Sequence, residues 1–306
     1  MSNPAREADR GPVLVGYGPE DRGHGGLELA RLIAATSGSP LRIVCVIPDR
    51  WGAVGPGRGV DKDYHDYLAS LAEHALAQAR EAMVDCGVQV DYEVVTARSA
   101  PAGLTSAAQA AGAWLLVAGS SADGAWGHIA LGSTSDRMLH SSRIPVVIAP
   151  RGQRYAQATR ITRVTAAVDG AGGTAQVLSQ AAGIAADLGA ALRVVSFAVR
   201  RGTMYPPEVG LDAEDRVVEA WRAQAAEAVR RAIGTLALPE EPQVHIAEGR
   251  SWDEALEEPT WDDGELLVVG SSQSESRLSW VFLGSNGTRI IRHSPVPVVV
   301  VPGASR

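Results

Sequence analysis

The chain has few of the residues that hold unusual proteins together or carry unusual chemistry. Of 306 residues only Cys45 and Cys86 are cysteines, too few for the disulfide framework of a small secreted domain. A buried, reduced thiol is the plain reading of both, which points to a reducing compartment. Aromatic residues make up 5%, so the core must come mainly from Ala, Val and Leu. Lys62 is the only lysine among 28 basic residues, and the net charge is −7. A chain of that sign lacks the basic surface that gives proteins affinity for nucleic acid. No apolar run approaches the roughly 18 residues a bilayer span needs. The first residues, MSNPAREADRGP, are polar and lack the apolar stretch of a signal peptide. Together these absences lead to the expectation of a cytoplasmic globular protein with no nucleic-acid or membrane partner.

What is present is a repeat. Residues 115–150, LLVAGSSADGAWGHIALGSTSDRMLHSSRIPVVIAP, parallel residues 266–302, LLVVGSSQSESRLSWVFLGSNGTRIIRHSPVPVVVVP. Gly119 matches Gly270 at an offset of 151. Gly132 and Gly284, Arg137 and Arg289, Pro145 and Pro297, and Pro150 and Pro302 all match at 152. The starts of the halves, GPVLVGYGPEDRGHGGLELARLIA and ITRVTAAVDGAGGTAQVLSQAAGIAADLG, keep the same offset and place Tyr17 opposite Asp169. Two copies of one domain follow. Their expected limits are residues 1–150 and 160–306, with the polar, unpatterned stretch 151–159 as linker.

Within each copy, short apolar runs alternate with helical stripes. In the first, Val13–Tyr17, Leu41–Ile47, Val88–Thr96, Trp114–Ala118 and Pro145–Ala149 read as strands. Between them, His24–Thr36, Asp63–Asp85, Pro101–Ala111 and Ser133–His140 read as helices. The second copy repeats the order, with strands near 163–169, 191–199, 243–248, 265–269 and 296–301 and a helix near 213–233. Five such strands predict an α/β fold with a parallel sheet covered on both faces.

In an open parallel sheet, ligands bind beyond the carboxyl ends of the strands, where the strand order reverses. Three segments of each copy should meet there. They are the turn after the first strand (Tyr17-Gly18; Asp169-Gly170), the turn after the fourth (Gly119-Ser120-Ser121; Gly270-Ser271-Ser272), and the start of the last helix (Gly132-Ser133-Thr134; Gly284-Ser285-Asn286). Glycine allows close backbone approach, and a Gly-Ser helix start offers free N–H groups, hydroxyls and the positive dipole end to an anion. The plainer alternative makes Ser133 and Ser285 simple N-caps. Likewise, Asp169 could do no more than hydrogen-bond its own turn.

These landmarks resemble the universal stress proteins. That family carries glycine, two residues, glycine, nine residues, then glycine followed by Ser or Thr, and ends in a Pro-Val-Val-type strand. The resemblance covers nearly the whole chain, twice, in the manner of tandem actinobacterial members. It implies a Rossmann-like fold of the adenine nucleotide alpha hydrolase type with strand order 3-2-1-4-5. It also implies pairing through the fifth strands, here PVVIA and PVPVVVV of the two copies, and is compatible with a homodimer. The implied ligand is an adenine nucleotide, ATP alone or with Mg²⁺, contacted by an Asp at the end of the first strand.

Each copy departs from the motif in its own way. In the first, Ala122 replaces the middle glycine, with Gly124 and Gly127 nearby, and Tyr17 stands where the Asp belongs. In the second, Asp169 is present, but Gln273 or Ser274 replaces the middle glycine and Glu275 adds negative charge. The balance favours ATP in the second copy of a regulatory, non-catalytic stress-response protein. The competing expectation is a ligand-free interaction scaffold with decayed pockets. Gly16-x-Gly18 is only a partial dinucleotide fingerprint, since Asp21 occupies the third glycine position. His65 and His74 are too far apart on one helix to chelate a metal, and no nucleophile elbow is present. Trp126 and Trp280, before the last helices, are expected in packing or an interface.

Overall fold

A computed structural model describes residues 10–18, 24–49, 58–121, 124–152, 158–168, 173–199, 223–224, 226–236, 238, 240–271 and 285–303. It forms two compact units, the first ending at Ile161 and the second beginning at Thr162. In the first unit β1 (Val13–Gly16), α1 (His24–Ser37), β2 (Leu41–Pro48), α2 (Arg58–Ala82) and β3 (Val90–Ala97) are followed by α3 (Ala100–Ala110), β4 (Leu115–Gly119), α4 (Ser133–Ser141) and β5 (Val146–Ala149). Its strands lie in the order β3-β2-β1-β4-β5, and all neighbours are parallel. The second unit contains β6 (Arg163–Ala167), α5 (Thr174–Leu188), β7 (Ala191–Val199), β8 (Gln243–Gly249), α6 (Trp252–Glu257), β9 (Glu265–Gly270), α7 (Ser285–His293) and β10 (Val298–Val301). The order β8-β7-β6-β9-β10 repeats that of the first unit, again all parallel. The helix expected near 213–233 falls partly outside the described residues, which are helical at 223–224 and 226–234. No described helix is long and apolar enough to cross a membrane.

The elements begin and end where local chemistry requires. Val13, Leu14 and Val15 are fully buried, as suits a short strand covered on both faces. Ser37 ties its hydroxyl back to the Ile33 carbonyl at 2.9 Å, and Gly38 leaves α1 in the left-handed conformation (φ 69°). Ser99 caps α3 by accepting from the Ala102 amide at 3.4 Å. α2 starts at Arg58, ahead of the Asp63 that the apolar pattern suggests, within the Gly- and Pro-rich run PDRWGAVGPGRG that reads as a loop. β3 starts at Val90, two residues later than the apolar pattern suggests.

One feature separates the copies at the amino ends of the second unit's strands. Arg193 and Glu265 are both buried there, with the Arg193 Nη2 2.6 Å from a Glu265 oxygen. Arg193 also donates to the Thr165 hydroxyl at 2.9 Å and the Thr260 carbonyl at 3.1 Å, and its guanidinium lies 4.8 Å from the Trp261 ring centre. Arg163 binds the other Glu265 oxygen at 2.9 Å. At the 152-residue offset the first unit has Val13 and Leu41, both fully buried, in place of Thr165 and Arg193. Burial pushes the Arg193 pKa down while the Glu265 carboxylate opposes that shift. Removing one partner of such a pair leaves the other charge stranded. Glu265→Ala is therefore expected to destabilise the protein by about 3–5 kcal/mol, measured by urea unfolding of the intact chain.

The thiols also differ. Burial, with Glu73 adding to it, raises the Cys45 pKa to about 11; Cys86 is half-buried, its thiol 3.6 Å from the Val88 carbonyl. A raised pKa leaves Cys45 protonated where the unfolded chain would ionise, so this group makes folding less favourable as pH rises from 9 toward 11. A thiol reagent at pH 8 is expected to label Cys86 in the native protein and Cys45 only after denaturation.

Candidate functional site

In each unit the chain runs outward from its first strand in one direction and then returns to build the other side. The connections therefore part at the carboxyl ends of β1 and β4, and of β6 and β9. In the second unit this parting holds a cavity of about 180 Å³. A single water needs only ~10–15 Å³ by that measure, so the space suits part of an organic ligand. Ala167 and Val168 close one side of it, Gly270 and Ser271 another, and Val301 to Gly303 a third.

Helix starts face it from two directions. α5 begins after Gly173, whose φ of 104° only glycine adopts readily, and contributes Gly173, Thr174, Gln176 and Val177. α7 contributes Asn286, Gly287 and Ile290. The first-turn amides of a helix lack intrahelical acceptors and carry its positive dipole end. The described lining holds no charged side chain, so an anion would rely on those amides and on neutral donors.

The walls are held by specific contacts. Gln176 and Gln180 both donate to the Pro302 carbonyl, at 3.1 and 3.0 Å. The Ser271 hydroxyl accepts from the Gly303 amide at 2.8 Å, which leaves its own proton free to donate. Gly270 leaves room for Val177: a Cβ there would stand 2.5 Å from a Val177 methyl, which would have to move. Thus Gly270, Ser271 and Asn286 come together as the sequence pattern predicts. Asp169, Gly170 and Gly284, with Gln273, Glu275 and Trp280, lie outside the described residues, as does the Ser285 side chain. Among the wall residues that carried no sequence expectation are two aromatic ones: Phe197, near the end of β7, and Trp252, the first residue of α6. Their ring centres lie 6.3 Å apart, tilted by 58°. The Ser-x-x-Glu run at 251–254 marks a helix start and could have drawn attention to Trp252.

The first unit arranges the same landmarks differently. Tyr17 is only 4% exposed, and its ring meets that of His24 edge-on at 5.8 Å beside the start of α1. At the 152-residue offset His24 corresponds to Gln176, a cavity residue in the second unit. Gly119 ends β4, and the Ser135 hydroxyl joins α4 to its carbonyl at 3.3 Å. Gly132, not Ser133, is the N-cap of α4, and it makes no side-chain capping bond. Ser133 and Thr134 occupy the first turn, so capping does not account for Ser133. The loop before them is tied to itself and to the stretch that reads as linker. Ser121 donates its amide to the Ala130 carbonyl at 2.8 Å, Gly127 to Arg151 at 2.8 Å, and Arg151 to His128 at 3.0 Å. Trp126 is 71% exposed yet pinned, with the Arg151 guanidinium 5.2 Å from its ring centre and Gly152 against its edge. Among the described residues no group of His, Cys, Asp or Glu is placed to hold a metal ion.

Comparison with known proteins agrees with this fold. The universal stress protein family model matches residues 10–150 and again 160–302. A universal stress protein of Mycobacterium tuberculosis is 37% identical over 296 residues, covering 95% of this chain and 99% of that protein, and one of Mycobacterium bovis matches to the same extent. Among solved structures, a universal stress protein from Archaeoglobus fulgidus superposes with a TM-score of 0.59 at 20% identity, covering 94% of this chain and 98% of its own. A Pseudomonas aeruginosa member gives 0.58 at 20% identity, covering 97% and 94%. At that identity the likeness is one of fold. Matched twice, in order and nearly end to end, this chain belongs to the universal stress protein family.

Proposed function

We propose that the protein is a non-catalytic, cytoplasmic regulator of the stress response that binds an adenine nucleotide, ATP alone or with Mg²⁺, in its second domain. The observation that carries this reading is the contrast between the two switch points. The second unit keeps an open cavity faced by two helix starts. In the first, Tyr17 is buried beside the corresponding helix start. An aromatic ring in that position leaves no carboxylate at the end of the first strand to meet a nucleoside, whereas Asp169 supplies one in the second copy. The first domain then serves the assembly rather than the ligand. On sequence grounds the short apolar last strands of the two copies are the natural elements to pair with each other, and association of chains into a homodimer fits the same reading.

The test is equilibrium titration of the intact protein with ATP and Mg²⁺. Saturation at one nucleotide per chain is expected, with at least tenfold weaker binding by Asp169→Ala. Absence of binding at millimolar nucleotide would favour the ligand-free scaffold. Tyr17→Ala, which empties a buried aromatic site, is expected to cost about 3–5 kcal/mol in urea unfolding while leaving the ATP affinity of the second domain within about twofold.

A further inference from the structure

The two copies place their aromatic rings on opposite sides of the same region. At the 152-residue offset Tyr17 corresponds to Asp169, His24 to Gln176, Cys45 to Phe197 and Ala100 to Trp252. The first unit thus carries its rings beside the first strand and has only a thiol near the end of the second strand and a methyl at the start of the third helix. The second unit has the reverse: its rings are Phe197 and Trp252, both half-buried and both lining the cavity.

We infer that Trp252 is the platform on which the base of a bound nucleotide lies, and that it sets a preference for purines. This rests on the nucleotide reading of the cavity and goes beyond it, since it names which wall takes the base. The indole is held for such a role. Ser251 caps α6 by accepting from the Glu254 amide at 3.2 Å, and the Glu254 carboxylate accepts from the Arg250 amide at 2.8 Å. Gly249 lets the helix close onto the end of β8, because a Cβ there would stand 2.3 Å from the Ala255 nitrogen. Phe197 supports the indole from the neighbouring strand end. Stacking on an aromatic side chain accepts any base, but it grows with the ring area covered, so the larger purine gains more. The polar groups of the cavity, Ser271, Asn286 and the first-turn amides of α5 and α7, remain for the ribose and phosphates.

The test uses the intact protein, Trp252→Leu and Trp252→Phe, with ATP and UTP as probes and isothermal titration as the readout. Wild-type protein is expected to prefer ATP. Trp252→Leu is expected to weaken ATP binding about tenfold or more and UTP binding less, so the ratio between the two falls. Trp252→Phe is expected to keep ATP affinity within about threefold while losing the indole fluorescence change that ATP produces in the wild type; this variant decides the question if Trp252→Leu does not fold. Two outcomes would overturn the inference and leave the nucleotide reading standing: undiminished ATP binding by Trp252→Leu, or equal weakening of ATP and UTP, which marks a merely structural residue. The chain has seven tryptophans, so an ATP-induced fluorescence change of undiminished size in Trp252→Phe, which the other six would then carry, would overturn it as well. Failure of the wild type to bind either nucleotide would remove both.

Discussion

A parallel sheet that grows from its first strand in one direction and then in the other must send its connections to opposite sides at one point. Beyond that point no crossover covers the strand ends, and a hollow is left between them. Both units inherit this constraint from the order of their strands, β3-β2-β1-β4-β5 and β8-β7-β6-β9-β10. Helix starts frame the hollow because each helix follows a strand end, and their free amides give it an affinity for negative charge. The glycines serve that arrangement. Gly26 lets α1 lie so close to the end of β4 that a Cβ would be 3.0 Å from the Gly119 nitrogen, and Gly270 makes the corresponding room for Val177.

The repeat, the alternation of strands and helices and the glycine–serine helix starts could be read before any coordinates, because they are written in contiguous segments whose period or turn chemistry is local; the strand order followed only from the resemblance to the universal stress proteins. What fills the hollow could not. Tyr17 stood out only as a missing aspartate; that its ring is buried against His24 depends on the packing of α1 against the strands beneath it. Phe197 and Trp252 are separated by 55 positions and meet only because β7 and β8 are neighbours in the sheet. The cluster of Arg163, Arg193 and Glu265 was equally hidden, since each of the three looks like an ordinary charged residue at the start of a strand. The alternative of Ser133 as N-cap was open for a smaller reason: a Gly-Ser pair at a helix start fits either residue as the N-cap, and the extended backbone of Gly132 (ψ 169°) decides it for α4.

The duplicated copies are each other's control. Where the first has buried Val13 and Leu41 at the amino ends of its strands, the second has Thr165 and Arg193 gathered around Glu265. Apolar residues do that job at least as well in stability terms, since desolvating an ion pair offsets most of its attraction. The polar cluster is therefore better understood as fixing strand neighbours than as adding stability. Glu265 is satisfied only when β6 lies between β7 and β9 in this register, so a slipped strand would strand a charge.

The same comparison explains how duplication can divide labour. A switch point with a buried aromatic ring at the end of its first strand, as Tyr17 is in the first unit, has part of its packing supplied by the chain itself. A hollow left open forgoes that packing, and whatever occupies it stabilises the folded state in proportion to the logarithm of its concentration over its dissociation constant. If the second domain is the one that binds nucleotide, its stability would follow nucleotide level in this way, and that of the first would not.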